Sequence, residues 1–493
     1  MARNYLVLWL SGALVAGCTA TQSGEAQQGQ IRTATSMSQA ERQQGAKAHP
    51  ELLAEFGGVY SGPQSAYVTS VGRRIAVQSS LSNQQNDFTI SLLNSSVNNA
   101  FAVPGGYVYV TRQLLALMND EAELAGVLGH EVGHVAAQHS QRRQSAATRN
   151  SILGVLGQVL VGAVAGDSGL GQLLQRGIGT GTQLLTLKFS RSQEYEADDL
   201  GIRYLASAGY DPKALSSMLA SLAAQNTLDS RVRGQASAVP EWASTHPDPA
   251  SRVRRALTNA QATRSTNNVR NRDVFLNNLG GMIYGDDPKE GIVQGNQFLH
   301  PVMKLKFTAP TGFSIQNGTS AVAVVGQSGQ AQFSMAQFNG SLDSYVQSVF
   351  AQLAGQGQAP AIRVQRNTVN GLPVASGAAS MSNSQGTRLD VTVVAYQFGP
   401  STAYHFIVIT PAGRGLGPLS SLVNSVARMS DQEAAAIRPR RLQLVTVRQG
   451  DTVQTLASRM AFEDYKVERF LVLNGLSANS PLPVGGKVKV VTY

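Results

Sequence analysis

The sequence predicts an α+β chain in three parts: a mainly helical domain with a small edge sheet, an α+β domain dominated by strands, and a short βααβ unit at the C-terminus. Three observations carry this reading. Between residues 38 and 262 apolar side chains recur at helical spacing, interrupted by two strand-like runs, "DFTISLLN" and "NAFAVPGGYVYVT". From 286 to 431 the pattern changes to short runs rich in β-branched and aromatic residues, and 444–493 reads as strand, helix, helix, strand. At 493 residues the chain is long enough for several domains, and a hydrophobic fraction of 42% supports ordinary globular cores.

The N-terminus has its own logic. Arg3 precedes an apolar run from Tyr5 to Ala16 that is too short to span a bilayer, and small residues follow up to Cys18, the chain's only cysteine. "LVAGC" resembles a bacterial lipobox, which implies a signal peptide over 1–17, lipidation of Cys18 and anchorage to a membrane. Thr19 rather than aspartate after the cysteine implies the periplasmic side of the outer membrane. Residues 18–37, rich in Gln, Ser, Thr and Ala, read as a flexible tether. With one cysteine, intrachain disulfides are excluded.

Helical signals begin near Ser38 and run on through "AYVTSVGRRIAVQ". Pro104 breaks the second strand run and favours an edge position. Thr111 to His139 reads as two helical segments meeting at Asn119 and Asp120, either of which can cap the second, with Glu121 and Glu123 suited to its first turn. The glycine-rich apolar run 152–165 is too short for a transmembrane helix and reads as a buried segment or a lid. Helices resume at "SQEYEADDLGIRYLASAG" and "DPKALSSMLASLAAQ", and 263–285 reads as a linker. In the strand-rich domain, whose role the sequence leaves open, helices are expected over Ser344–Leu353 and Leu419–Met429.

The chemistry concentrates in "VLGHEVGHVAAQH", residues 127–139. Positions i and i+4 of a helix share a face, so His130 and His134 can aim their ring nitrogens at one point, with Glu131 beside it. Neutral imidazoles suit Zn²⁺, and a catalytic zinc needs a third protein ligand and an open position. His139, Glu194 and Asp198 are the candidates for that third ligand. Glu194 and Asp198 are four apart in "SRSQEYEADDLG", so one can bind metal while the other supports a histidine.

These motifs resemble the M48 family of zinc metallopeptidases over about residues 38–255. "NAFAVPGGYVYVT" matches the strand before the active-site helix, "NDEAELAGVLGHEVGHV" the metal helix, "SRSQEYEADDLG" the helix of the third ligand, and "AGYDP" its exit. The resemblance implies a zincin-type fold over 38–262, one Zn²⁺ per chain held by His130, His134 and Glu194, Asp198 as partner of that shell, and Glu131 as general base. His246, in "STHPDPASRVRR", is expected either to plug the open position or to stabilise the oxyanion, and Arg252 to hold that loop or contact substrate.

The C-terminal unit resembles a LysM domain: Gly450 and Asp451 turn into its first helix, Asn474, Gly475 and Leu476 follow the second, and "LPVGGKVKV" leads into the closing strand. That resemblance implies attachment to peptidoglycan through 444–493. The net charge of +10 is dispersed over short groups such as "RVRR" without interleaved aromatics, which points away from nucleic acid. The functional expectation is a zinc endopeptidase of the bacterial envelope acting on unfolded or misassembled proteins, with substrate pairing as an extended strand beside residues 98–110. A peptidoglycan-directed peptidase and a non-enzymatic wall-binding adaptor are the alternatives.

Overall fold

In a computed structural model of the chain, the described residues are 31, 33–144, 154–155, 183–184, 189–233, 246–263, 265–354, 359–382 and 387–493. The expected signal peptide, Cys18, most of the tether and the 152–165 run, apart from Gly154 and Val155, lie outside them.

Helix α1 (Gln39–Glu55) starts at a capping box in which Ser38 accepts from the Glu41 amide and Glu41 accepts from the Ser38 amide. Helix α2 (Pro63–Ala76) buries Val68, Val71 and Ile75. The strands β1 (Thr89–Leu93), β2 (Ala100–Val103) and β3 (Tyr107–Thr111) form one sheet in the order β1-β3-β2, with β1 parallel and β2 antiparallel to β3. Pro104 to Gly106 make the turn between β2 and β3, so β2 is an edge strand, as the proline predicts.

Two helices then carry the chain below the sheet: α3 (Arg112–Leu117) and α4 (Glu121–Ala136). Asp120 is the cap of α4, accepting from the Glu123 amide. All but one residue of α4 are buried, so this helix is the axis of the domain. After α5 (His139–Gln144) and the two-residue strands β4 (Gly154–Val155) and β5 (Gln183–Leu184) come α6 (Arg191–Ser207), α7 (Ala214–Arg233) and α8 (Pro249–Ala262). The segment expected as a linker contains α9 (Arg272–Leu279), and Arg270 within it is bound into the body. Its guanidinium meets Asp120 at 2.7 Å and Asp211 at 3.2 Å, and donates to Ser217 Oγ at 2.7 Å. Those contacts fix the N-terminus of α4.

The strand-rich domain pairs a seven-stranded antiparallel sheet with a four-stranded one. The remaining strands are β6 (Ile292–Gln294), β7 (Gln297–His300), β8 (Leu305–Thr308), β9 (Phe313–Asn317), β10 (Val322–Gly326), β11 (Gly329–Met335), β12 (Gln365–Val369), β13 (Leu372–Ser382), β14 (Arg388–Gly399), β15 (Thr402–Pro411) and β16 (Ala427–Arg428). The larger sheet runs β12-β13-β14-β15-β11-β10-β9 and the smaller β16-β8-β7-β6. Period-2 alternation decides its two faces. Val391, Val393, Ile407 and Ile409 pack under α10 (Leu342–Ala354), whereas Val394, Tyr396, Phe406 and Val408 face Phe298 and Phe307 of the smaller sheet. The helix expected over Leu419–Met429 is shorter: α11 (Ser420–Asn424) ends at Ser425, and Ala427–Arg428 pairs with β8 instead. Ladder bonds to Leu305 and Lys306 outcompete continuation of the helix there.

Helix α12 (Asp431–Ala436) leads to the C-terminal unit, in which β17 (Arg441–Thr446) and β18 (Lys487–Thr492) pair antiparallel around α13 (Val453–Ala457) and α14 (Lys466–Leu473). This unit is docked on the helical domain. Lys489 is fully buried and its ammonium donates to the Ala116 carbonyl at 2.7 Å and to that of Met118, closing the C-terminus of α3. Among the described residues no helix is long and apolar enough to cross a membrane.

His405, buried within β15, has Tyr345 Oη at 2.9 Å and Ser334 Oγ at 3.3 Å, and burial pushes its pKa down to about 4. An imidazole so depressed refuses a proton that the unfolded chain accepts below about pH 6.5, so stability is full above that value and falls as pH drops towards 4. Unfolding free energies of the wild type from urea titrations should therefore fall between pH 6.5 and 4, with up to about 3 kcal/mol of the fall due to His405 and a shallower fall in His405→Gln.

Candidate metal centre

Helices α4 and α6 build the site by coming unusually close. Gly201 of α6 lies against the His130 backbone, where an added Cβ would stand 3.1 Å from the His130 nitrogen. Gly133 of α4 lies against α6 in turn, where a Cβ would meet Leu200 Cβ at 3.1 Å and the Ala197 carbonyl at 3.2 Å. The glycines of the metal helix thus answer a packing demand. They let Glu194 and Asp198 reach the rings of His130 and His134.

The resulting cluster is compact and dry. His130, His134, Glu194 and His246 are all buried, and their donor atoms lie within 4.8 Å of one another. The Nε2 atoms of His130 and His134 are 3.0 Å apart, His134 Nε2 is 3.4 Å from Glu194 Oε1, and His246 Nδ1 is 3.1 Å from the same oxygen. Asp198 stands outside this group. Its Oδ1 lies 3.0 Å from Nδ1 of His130, on the far side of the ring from the cluster. Glu131 is buried beside it, with Oε1 3.5 Å from His246 Nε2 and without a hydrogen-bond partner among the described residues.

Arg252 of α8 lies beneath both carboxylates. It donates to Asp198 through Nε at 2.9 Å and Nη2 at 2.6 Å, and its Nη1 contacts Glu194. Only 1% exposed, it has the place of an internal counter-ion.

Charge follows from these contacts. Burial pushes the Glu194 carboxyl up, but His246 and Arg252 outweigh it and hold the group well below the usual carboxylate range. Asp198 is likewise held down, against burial, by Arg252 and His130. Burial drives His134 far below its ordinary value, which keeps the ring neutral. Burial raises Glu131, outweighing the opposing pull of His246 and His130. His246 is raised, because Glu194 and Glu131 outweigh burial. Glu194 and Asp198, both held in the charged form, therefore face the Arg252 guanidinium and the His246 ring, with the more readily protonated Glu131 alongside.

The donor set fits zinc: imidazole nitrogens and one ionised carboxylate converge on one point, and a buried, unpartnered carboxylate oxygen lies beside it. Residues 63–260 match the family model described as "Peptidase family M48", and 445–491 match the LysM domain. The chain carries an M48 domain. A beta-barrel assembly-enhancing protease of Escherichia coli O157:H7 is 33% identical over 201 residues, 40% of this chain and 39% of that protein. One from Yersinia pestis is 32% identical over 198 residues, 40% of this chain and 38% of its own length. The mitochondrial metalloendopeptidase OMA1 of Schizosaccharomyces pombe is 30% identical over 233 residues, 46% of this chain and 64% of that protein. The matches thus span about two-fifths of the bacterial relatives.

Three features beside the cluster are not legible as such in the sequence: Phe189, whose ring stacks on His134 with centroids 3.8 Å apart, the contact of His139 Nδ1 with His134 Nδ1 at 2.8 Å, and Glu196, 3.1 Å from His139 Nε2. Spacing hides them, because they come from different parts of the chain. Replacing Arg252 with methionine strands two buried carboxylates, and should lower stability by about 3–5 kcal/mol. Chemical denaturation of the metal-free protein at neutral pH checks this.

Proposed function

We propose that this chain is a zinc-dependent endopeptidase of the bacterial envelope, anchored through lipidated Cys18 and held at peptidoglycan through residues 444–493, that cleaves unfolded or misassembled polypeptides. The observation that carries this reading is the buried convergence of His130, His134 and Glu194 with Glu131 alongside. A site that only stabilised structure would have no use for a further carboxyl group next to its ligands.

Zinc bound by His130, His134 and Glu194 would supply Lewis acidity towards water and the scissile carbonyl. Glu131 is the general base: its carboxylate takes a proton from the attacking water and passes it to the departing amine. Burial raises its affinity for protons, which suits a group that must both accept and release one near neutral pH. Asp198 and Arg252 hold the ligand set in place without touching substrate.

His246 supplies a fourth donor where a catalytic centre keeps a position open. We assign it as a plug that must withdraw before substrate enters, with oxyanion stabilisation as the alternative role. Substrate would enter as an extended strand along β2, which has a strand neighbour on one side only. Backbone pairing of that kind tolerates many sequences and suits unfolded segments. The match at 445–491 favours a second reading, cleavage of wall peptides.

Incubation with unfolded casein and with purified wall sacculi, with and without chelator, separates these readings. Chelator-sensitive loss of casein supports the first, release of wall peptides the second, and neither outcome would leave the adaptor. Glu131→Gln should retain metal while turnover falls by about 10²–10⁴-fold or more. His246→Ala should cleave faster than wild type; slower cleavage would instead give His246 a part in the chemistry.

A further inference from the structure

His139 does not join the metal cluster. Its ring is buried, 0% exposed, and turned to the opposite side of His134, where the two Nδ1 atoms are 2.8 Å apart. Its other nitrogen, Nε2, lies 3.1 Å from Glu196 Oε2, which also accepts from Arg142 Nη2 at 2.9 Å. The chain turns sharply to make this possible: Gln138 takes a left-handed conformation with φ of 53° between α4 and α5, folding His139 back onto the metal helix. Helix α6 grips the turn as well, since Gln193 Nε2 donates to the His139 carbonyl at 3.3 Å.

Hydrogen positions along this row are determined by its end. A carboxylate paired with an arginine only accepts, so His139 Nε2 must carry the hydrogen that points at Glu196. A neutral His139 then presents a bare Nδ1. That lone pair requires the hydrogen of His134 to sit on Nδ1, which leaves His134 Nε2 bare and aimed into the cluster. The opposite order would place an N–H at the position of ligation and abolish His134 as a donor. Asp198 stands 3.0 Å from His130 Nδ1 with nothing between, whereas His134 is served by a carboxylate acting through a second imidazole.

We infer that His139 and Glu196 form a positioning relay that holds His134 in the tautomer able to ligate metal. The inference rests on the metal-centre reading for its consequence, but the tautomer itself exists with or without the ion. Burial lowers the proton affinity of His139, in keeping with the neutral ring that the relay needs.

Two measurements test it on the full-length protein. Selective ¹⁵N-histidine labelling and long-range ¹H–¹⁵N correlation of the metal-free wild type should show His134 protonated on Nδ1; an Nε2–H tautomer there overturns the inference. Zinc affinity, read by competition with a chromogenic chelator, should fall by about 10–100-fold in His139→Phe and recover in part in His139→Asn, whose side-chain oxygen can accept from His134. Glu196→Gln, at a site that reaches the surface, should weaken binding by a smaller factor and mix the His134 tautomers. Wild-type zinc affinity in a folded His139→Phe protein overturns the relay. A wild type that has the Nδ1–H tautomer yet binds no zinc would instead sink the metal-centre reading and leave the relay standing.

Discussion

The structure depends on how closely two helices approach. Where α4 meets α6, glycine stands on each side, and the backbones draw near enough for Glu194 and Asp198 to reach the imidazoles of His130 and His134. A methyl group at Gly201 would press on the His130 nitrogen at 3.1 Å, tighter than ordinary van der Waals contact. The cost of this arrangement is electrostatic, because carboxylates without water must find cations. Arg252 meets most of that demand from α8, and the His246 ring stands against Glu194 as well.

Everything around the pair works to keep it in place. Arg270 ties the N-terminus of α4 to Asp120 and Asp211, while Glu121 accepts from Tyr67, Tyr210 and Asn271. Lys489 reaches from the C-terminal unit to the end of α3, so the LysM domain is part of the scaffold on which the metal helix rests. Seated on the helical body in this way, the module holds a fixed relation to the buried cluster. The strand-rich domain between them has a separate logic, a sheet with α10 on one face and a smaller sheet on the other.

Much of the candidate cluster was legible in advance because it rests on residue types at fixed spacing. The i, i+4 histidines put two candidate ligands on one helical face, and the i, i+4 carboxylates put Glu194 and Asp198 on another. His139 was harder. From spacing it competed with Glu194 as a ligand, and only the left-handed turn at Gln138 shows that its ring faces away from the cluster. Arg252 carried loop-holding and substrate-contacting expectations, since a guanidinium beside a proline-rich turn gives no sign that it lies buried beneath two carboxylates. The helix read to Met429 failed for a comparable reason: pairing of Ala427 and Arg428 with a strand more than a hundred residues earlier is invisible to local periodicity.

By itself the sequence determined the elements and the ligand types, because helix periodicity, caps such as Asp120 and the histidine spacing are local properties of the backbone. Only the tertiary structure decided which acidic group meets the imidazoles, which guanidinium neutralises it, and which way the hydrogens run from Glu196 to His134. Those choices depend on side chains 50 or more positions apart being desolvated together, and the strength of a buried charge contact is set by its surroundings rather than by the residues that make it.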